Sequence, residues 1–286
     1  MSPNMVRRIT VAALAIPAAL GIVYLGGWVL AALLALLAVG GAAEFYALAN
    51  RGGVRPVALA GYVGAVAIPL VAFATYSGGL ELGLRWIALG AALWIIVTVA
   101  AVMASRAPTE RPMEVAAITV FAALYAGVLP SFILLIRHSD RLPSAGAATW
   151  LVFLPLVVTW TSDSLAMAGG SGFRGPRLAP VLSPNKTWSG AVTGALGAFV
   201  LAPAYGALVL APVGISIHPW RLAVFGLAIS VVGQLGDLAE SLFKRQVGVK
   251  DSGKLIPGHG GVLDRFDSLY WVIPTAALLL TVFGTI

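Results

Sequence analysis

The 286-residue chain has no cysteine, which excludes disulfides and thiolate metal centres. Charge is scarce: 10% of residues are Asp, Glu, Lys or Arg, against about 25% in an ordinary soluble domain. So few charges cannot cover a soluble protein of this size, and 59% of the residues are hydrophobic. The phosphate-loop pattern G-x-x-x-x-G-K-[ST] is absent, and no internal repeat is evident. Histidine is limited to three residues. His138 and His218 fall in loops with no catalytic neighbours, so no Ser-His-Asp arrangement can be argued. Ser252 and Ser268 read as helix caps rather than nucleophiles.

Long charge-free runs are present instead, at 9–43, 56–80, 86–105, 115–136, 142–162, 187–220 and 268–286. A helix of about 20 apolar residues spans a bilayer core, and each run approaches or exceeds that length. The N-terminal MSPNMVRR and the apolar run after it imitate a secretory signal. The run is too long for a signal core, so an uncleaved first helix is expected. Breaks with turn chemistry at Gly26-Gly27, Arg51 to Gly53, Ser77 to Gly79, Pro108 to Pro112 and Pro143 to Gly146 divide the rest. The fold expected is all-α, a polytopic integral membrane protein of about nine transmembrane helices. They fall near 6–26, 28–49, 55–76, 83–104, 114–136, 148–168, 187–211, 220–243 and 267–285. Residues 1–136 form an N-terminal region of about five helices. Residues 137–286 form a C-terminal catalytic region with polar loops 169–187 and 241–267.

The net charge is +7, but position matters more than the sum, and no nucleic-acid partner is expected. With the N-terminus inside, Lys and Arg divide 14 inside against 4 outside. Short loops rich in Lys and Arg stay in the cytoplasm, so both polar loops are expected there, at a cytoplasmic-side active site.

Four of the 11 acidic residues, Glu44, Asp163, Asp237 and Glu240, lie in or at the ends of spans. A carboxylate in hydrocarbon is costly, by about 2.5–3.5 kcal/mol, so each is a candidate for function. Glu44, near Arg51, is expected to reach water or pair with that arginine. Asp237, Glu240 and Ser241 share one helical face by their spacing. Asp264 and Asp267 repeat the i, i+3 spacing at the start of the last helix. Clustered hard oxygen donors suit Mg²⁺, and the intervening Lys244, Arg245, Lys250, Lys254 and His259 suit phosphate oxygens. Gly258 to Gly261 would let backbone amides approach a ligand closely. In the other polar loop, Ser183, Asn185 or Thr187 could cap the following helix, with Lys186 beside its N-terminus as a phosphate site.

A family can now be named. Gly236-Asp237-Leu238, Glu240-Ser241, Lys244-Arg245, Gly248, Lys250-Asp251-Ser252-Gly253, Leu255 to Gly261 and Leu263 to Ser268 resemble the signature of the phosphatidate cytidylyltransferases (CDP-diacylglycerol synthases). Ser183-Pro184-Asn185-Lys186-Thr187-Trp188 resembles that family's second motif. The resemblance implies that CTP and phosphatidate give CDP-diacylglycerol and pyrophosphate with Mg²⁺, and that K⁺ can assist. It implies metal ligation by Asp237 and Asp264, with Asp267 nearby and Lys250 in the catalytic loop. Ser183, Asn185, Lys186, Thr187, Lys254, His259 and Gly260 would hold CTP, and Lys244 and Arg245 the lipid phosphate. Membrane lipids are further partners, a homodimer stays open, and the bacterial inner membrane is the expected location. Where the family carries Glu before the glycine of the second motif, this chain has Ser189, and Asp163 aligns with a shift. The readings set against this one are a CTP-dependent polyprenol or phytol kinase, a transporter or channel, and a catalytically impaired paralogue.

Overall fold

The structure is a computed structural model and describes residues 17–77, 83–253 and 260–286. Nine helices occur among them: α1 (17–25), α2 (Gly27–Arg51), α3 (Ala58–Tyr76), α4 (Leu84–Ser105), α5 (Pro112–Arg137), α6 (Ala145–Phe173), α7 (Trp188–Tyr205), α8 (Pro219–Gln246) and α9 (Leu263–Val282). Seven are long and apolar enough to cross a membrane: α2 to α6, α7 with its extension to Val213, and α8. The protein is thus an all-α, polytopic integral membrane protein, as the charge-free runs require.

Local chemistry explains the boundaries. Gly26 and Gly27 have φ of 60° and 57°, a left-handed backbone that separates α1 from α2. The Ser144 hydroxyl accepts from the Ala147 amide and starts α6. α6 runs to Phe173, five residues beyond the expected end. Gly169 and Gly170 do not break it, because they receive Thr193 and Thr187 from the α7 side. α9 starts at Leu263 instead of 267, which puts Asp264 in its first turn. The loop between α6 and α7 holds an element the sequence did not suggest, a hairpin of β1 (Arg177–Ala179) and β2 (Ser183–Thr187). The strands are antiparallel, pairing Arg177 with Thr187 and Ala179 with Ser183 around an irregularity.

The chain forms two compact units. One comprises the residues up to Leu134 together with Gln246–Arg265, and the other comprises Leu135–Arg245 with Phe266–Ile286. In the first unit the Tyr46 hydroxyl donates to the Thr119 carbonyl at 2.8 Å, and Phe45 meets Phe121 and Tyr125 edge-on. The Trp94 indole donates to the Ala60 carbonyl at 2.8 Å, and its ring lies over Gly64, where no side chain would fit. Otherwise α4 exposes nearly all its apolar surface, with only Thr98 and Val102 buried, as suits a helix facing lipid. In the second unit small residues let α6, α7 and α8 approach closely, and polar side chains join them. The Ser162 and Ser230 hydroxyls are 2.7 Å apart, and the Gln234 amide donates to Ser230 Oγ at 3.1 Å and to the Ala191 carbonyl.

Candidate active site

In the second unit β2 leads directly into α7. Thr187 ends the strand, and its hydroxyl accepts from the Gly190 amide at 3.1 Å, which caps the helix. Ser183 and Asn185 lie within β2 and do not cap it. Lys186 precedes the cap, and its Nζ lies 2.5 Å from Asp237 Oδ2 on α8. This ion pair joins the motif before α7 to the end of α8, more than 50 residues later in the chain.

Asp237 is placed by the glycine before it. A Cβ on Gly236 would stand 2.8 Å from the Asp267 carbonyl and 3.3 Å from Ser268 Cα, so only glycine lets α8 lie this close to α9. The field of Asp237 therefore reaches Asp267, and both reach Asp163 on α6. Three like charges repel; Lys186 opposes that repulsion at Asp163, and at Asp267 the Ser268 amide opposes it most, then Lys244 and then Lys186. The Ser268 amide donates to Asp267 Oδ1 at 2.6 Å. One turn on from Asp237, Glu240 and Lys244 form a buried pair at 3.2 Å. Lys244, which the resemblance assigned to the lipid phosphate together with Arg245, is buried in this pair. Arg245 is exposed and donates from Nε to the Leu182 carbonyl at the hairpin turn.

In the first unit the segment before α9 is organised on two carboxylates. Glu44 is 7% exposed and neither reaches water nor pairs with Arg51 as expected. The Val262 amide donates to its Oε1 at 2.8 Å, and the Leu263 amide and the Ser252 hydroxyl donate to its Oε2 at 2.9 and 2.8 Å. Val262 and Leu263 open α9, so a carboxylate from α2 satisfies the orphan donors of a helix more than 200 residues away in the chain. Asp264 Oδ2 accepts from the Gly261 amide at 2.9 Å, the Ser252 amide at 3.0 Å and the Ser252 hydroxyl at 2.9 Å. Ser252 is thus a bridge between two carboxylates, not a cap, and Ser268 lies inside α9.

The glycines of this segment have a use the sequence reading missed. A Cβ on Gly261 would strike the Glu44 carboxylate, and one on Gly253 would stand 2.6 Å from Glu44 Oε1. Both glycines make room for a buried side chain. Gly260 has φ of 83° and packs on Asp264 Oδ2. Lys250 is exposed at the start of the segment, and Lys254 and His259 lie outside the described residues.

A model of the cytidylyltransferase family matches residues 6–283. This chain belongs to the cytidylyltransferase family. Among proteins similar to this cytidylyltransferase family member is the phosphatidate cytidylyltransferase of Brucella abortus biovar 1 (strain 9-941). It is 51% identical over 138 residues, 48% of this chain and 47% of that protein. The phosphatidate cytidylyltransferase of Rickettsia conorii is 44% identical over 137 residues, 46% of this chain and 57% of that one. That of Bacillus subtilis (strain 168) is 40% identical over 172 residues, 60% of each chain. The chain thus spans about half the length of the relatives it matches.

The geometry brings Lys186 to Asp237 and sets Asp267 and Asp163 within their field. Among the described residues no three His, Asp or Glu side chains converge as a ready-made metal cage. The donors at hand are hard carboxylate oxygens, and a lysine ammonium occupies a cation's place on Asp237. That set fits a hard divalent cation held by one or two carboxylates, with water and substrate phosphates completing its shell.

Proposed function

We propose that this chain is a phosphatidate cytidylyltransferase, which transfers the cytidylyl group of CTP to phosphatidate in the bacterial inner membrane. The observation that carries the reading is the Lys186–Asp237 pair beside Asp267. It joins the two motifs that the resemblance singled out. The relatives' names agree with it. The distribution of Lys and Arg supports a cytoplasmic site, where CTP is available.

A phosphate oxygen of phosphatidate attacks the α-phosphorus of CTP. The new P–O bond forms as the bond to the β-phosphate bridge breaks, and pyrophosphate leaves with that electron pair. The nucleophile is already an anion, so no strong base is required, and the barrier comes from gathering negative charge. Mg²⁺ bound at Asp237, with Asp267 beside it, would neutralise phosphate charge. Lys186 is placed to release Asp237 and turn to a CTP phosphate, next to the N-terminus of α7, whose partial positive charge favours an anion. The resemblance gives Asp264 a metal role as well. Three donors on its Oδ2 fix that carboxylate in one orientation, as hydrogen bonds commonly fix a metal-ligating carboxylate. The acyl chains stay in the lipid. Lys250, Lys254 and His259 are assigned to the triphosphate, and Arg245 to the lipid headgroup at the membrane surface.

The test is purified protein in detergent with radiolabelled CTP and phosphatidate. Labelled CDP-diacylglycerol and stoichiometric pyrophosphate are expected. Release of CDP with a phosphorylated acceptor would replace this reading with a lipid kinase.

A further inference from the structure

We propose that Glu44 is a positioning residue for the reaction: it holds both ends of the segment between Ser252 and Leu263 and, through Ser252, fixes the orientation of Asp264. The proposal deepens the reading above and rests on it for the role of Asp264. Glu44 belongs to α2, far from the sequence signature, yet its two oxygens take three donors from that segment. One donor, Ser252, lies before residues 254–259, and the other two, Val262 and Leu263, lie after them. A single side chain therefore clamps both feet of the stretch that carries Lys254 and His259.

Ser252 couples the clamp to Asp264. Its hydroxyl has one hydrogen and lies 2.8 Å from Glu44 Oε2 and 2.9 Å from Asp264 Oδ2. The two carboxylates share that donor. Backbone amides from Val262 and Leu263 on one side, and from Gly261 and Ser252 on the other, supply the rest. Gly253 and Gly261 complete the device, since any side chain there would push the segment off Glu44.

Glu44→Gln is the sharpest probe because it keeps the shape. Whichever way the amide is turned, its NH₂ faces a backbone N–H that formerly met an oxygen, donor against donor. Hydrogen exchange in detergent, followed by peptide mapping, should show residues 246–265 exchanging about tenfold faster or more in Glu44→Gln, with peptides of α6 and α7 unchanged. The Mg²⁺ concentration for half-maximal activity should rise about tenfold, which a mere loss of folded protein would not produce. Gly261→Ala attacks the same contact from the segment's side and should reproduce both effects even if Glu44→Gln does not fold. Asp237→Asn should lose activity and leave exchange of 246–265 at the wild-type rate. Wild-type exchange in both Glu44→Gln and Gly261→Ala overturns the proposal, as does loosening of 246–265 by Asp237→Asn. If the wild-type protein makes no CDP-diacylglycerol, the functional reading falls, while the exchange result still decides whether Glu44 holds the segment.

Discussion

The protein carries two sets of acidic residues whose surroundings are opposite in kind. Around Asp237, Asp267 and Asp163, like charges face one another, and lysines on flexible stems compensate them: Lys186 at Asp237 and Asp163, and Lys244 with Lys186, beside the Ser268 amide, at Asp267. Around Glu44 and Asp264, the carboxylates are met by one serine hydroxyl and by backbone amides, which cannot move without moving the chain. Negative charge balanced by a mobile cation can exchange that cation for another or for a substrate phosphate. Negative charge saturated by fixed donors holds a shape. The first set is suited to chemistry and the second to keeping a segment in place.

The comparison breaks most clearly at Asp237. Asp237→Asn should cut CTP-dependent product formation by at least about 100-fold, the scale on which loss of one preorganised charge-stabilising group acts. Near-wild-type turnover in the labelled-CTP assay would place the chemistry elsewhere. Chelation with EDTA should abolish turnover to a similar extent and leave the helical circular dichroism unchanged, because the helices are held by their own hydrogen bonds and by packing against one another. A fall in helicity would mean that metal also holds the fold.

Lys186→Met should act next most strongly. A hydrogen bond to a charged group contributes about 1.5–3 kcal/mol, so a loss of about 10- to 100-fold is expected, mainly as a raised KM for CTP. Combined with Asp237→Asn it should add little, because the two side chains form one pair. Full additivity would show that they act separately. Gly236→Ala comes after these. Its methyl would meet the Asp267 carbonyl, and relieving that overlap should cost about 1–3 kcal/mol of stability, read as a lower melting temperature in detergent. Activity should fall further than stability does, because Asp237 and Asp267 flank the contact.

The spans were legible because a bilayer imposes a length, and absence of charge over that length is a direct signal. The site was legible in part. Asp237, Asp267 and Lys186 stood out as charges at span ends, although no local pattern reveals that Lys186 meets Asp237. The hairpin at Arg177–Thr187 was not legible: it is short, rich in proline and lacks alternation. Glu44 gave the standard warning of an ionisable residue within a span. A nearby arginine suggested a surface pair, and its true partners are backbone amides more than 200 residues away, which side-chain patterns do not record. The glycines at 253 and 261 announced a close approach but not what approached.

The smallest effect is expected at Ser189, where the resemblance places a glutamate. Its hydroxyl accepts from the Gly175 amide at 3.1 Å and lies 3.0 Å from Thr187 Oγ1, which ties the end of α6 to the cap of α7. Ser189→Ala gives up both contacts, about 1 kcal/mol each, and should leave turnover within about twofold of wild type, because neither touches the acidic set. Ser189→Glu tests whether the chain lacks a carboxylate it needs. Gly175 already touches Ser189, so the longer side chain must leave that contact and forfeit the bond. It would also bring another acidic group into the unit that holds Asp163, Asp237 and Asp267. A few-fold loss of activity, steeper at low Mg²⁺, is therefore expected. A gain would show that the acidic set around Asp237 is incomplete and that its balance of charge is not the one Lys186 provides.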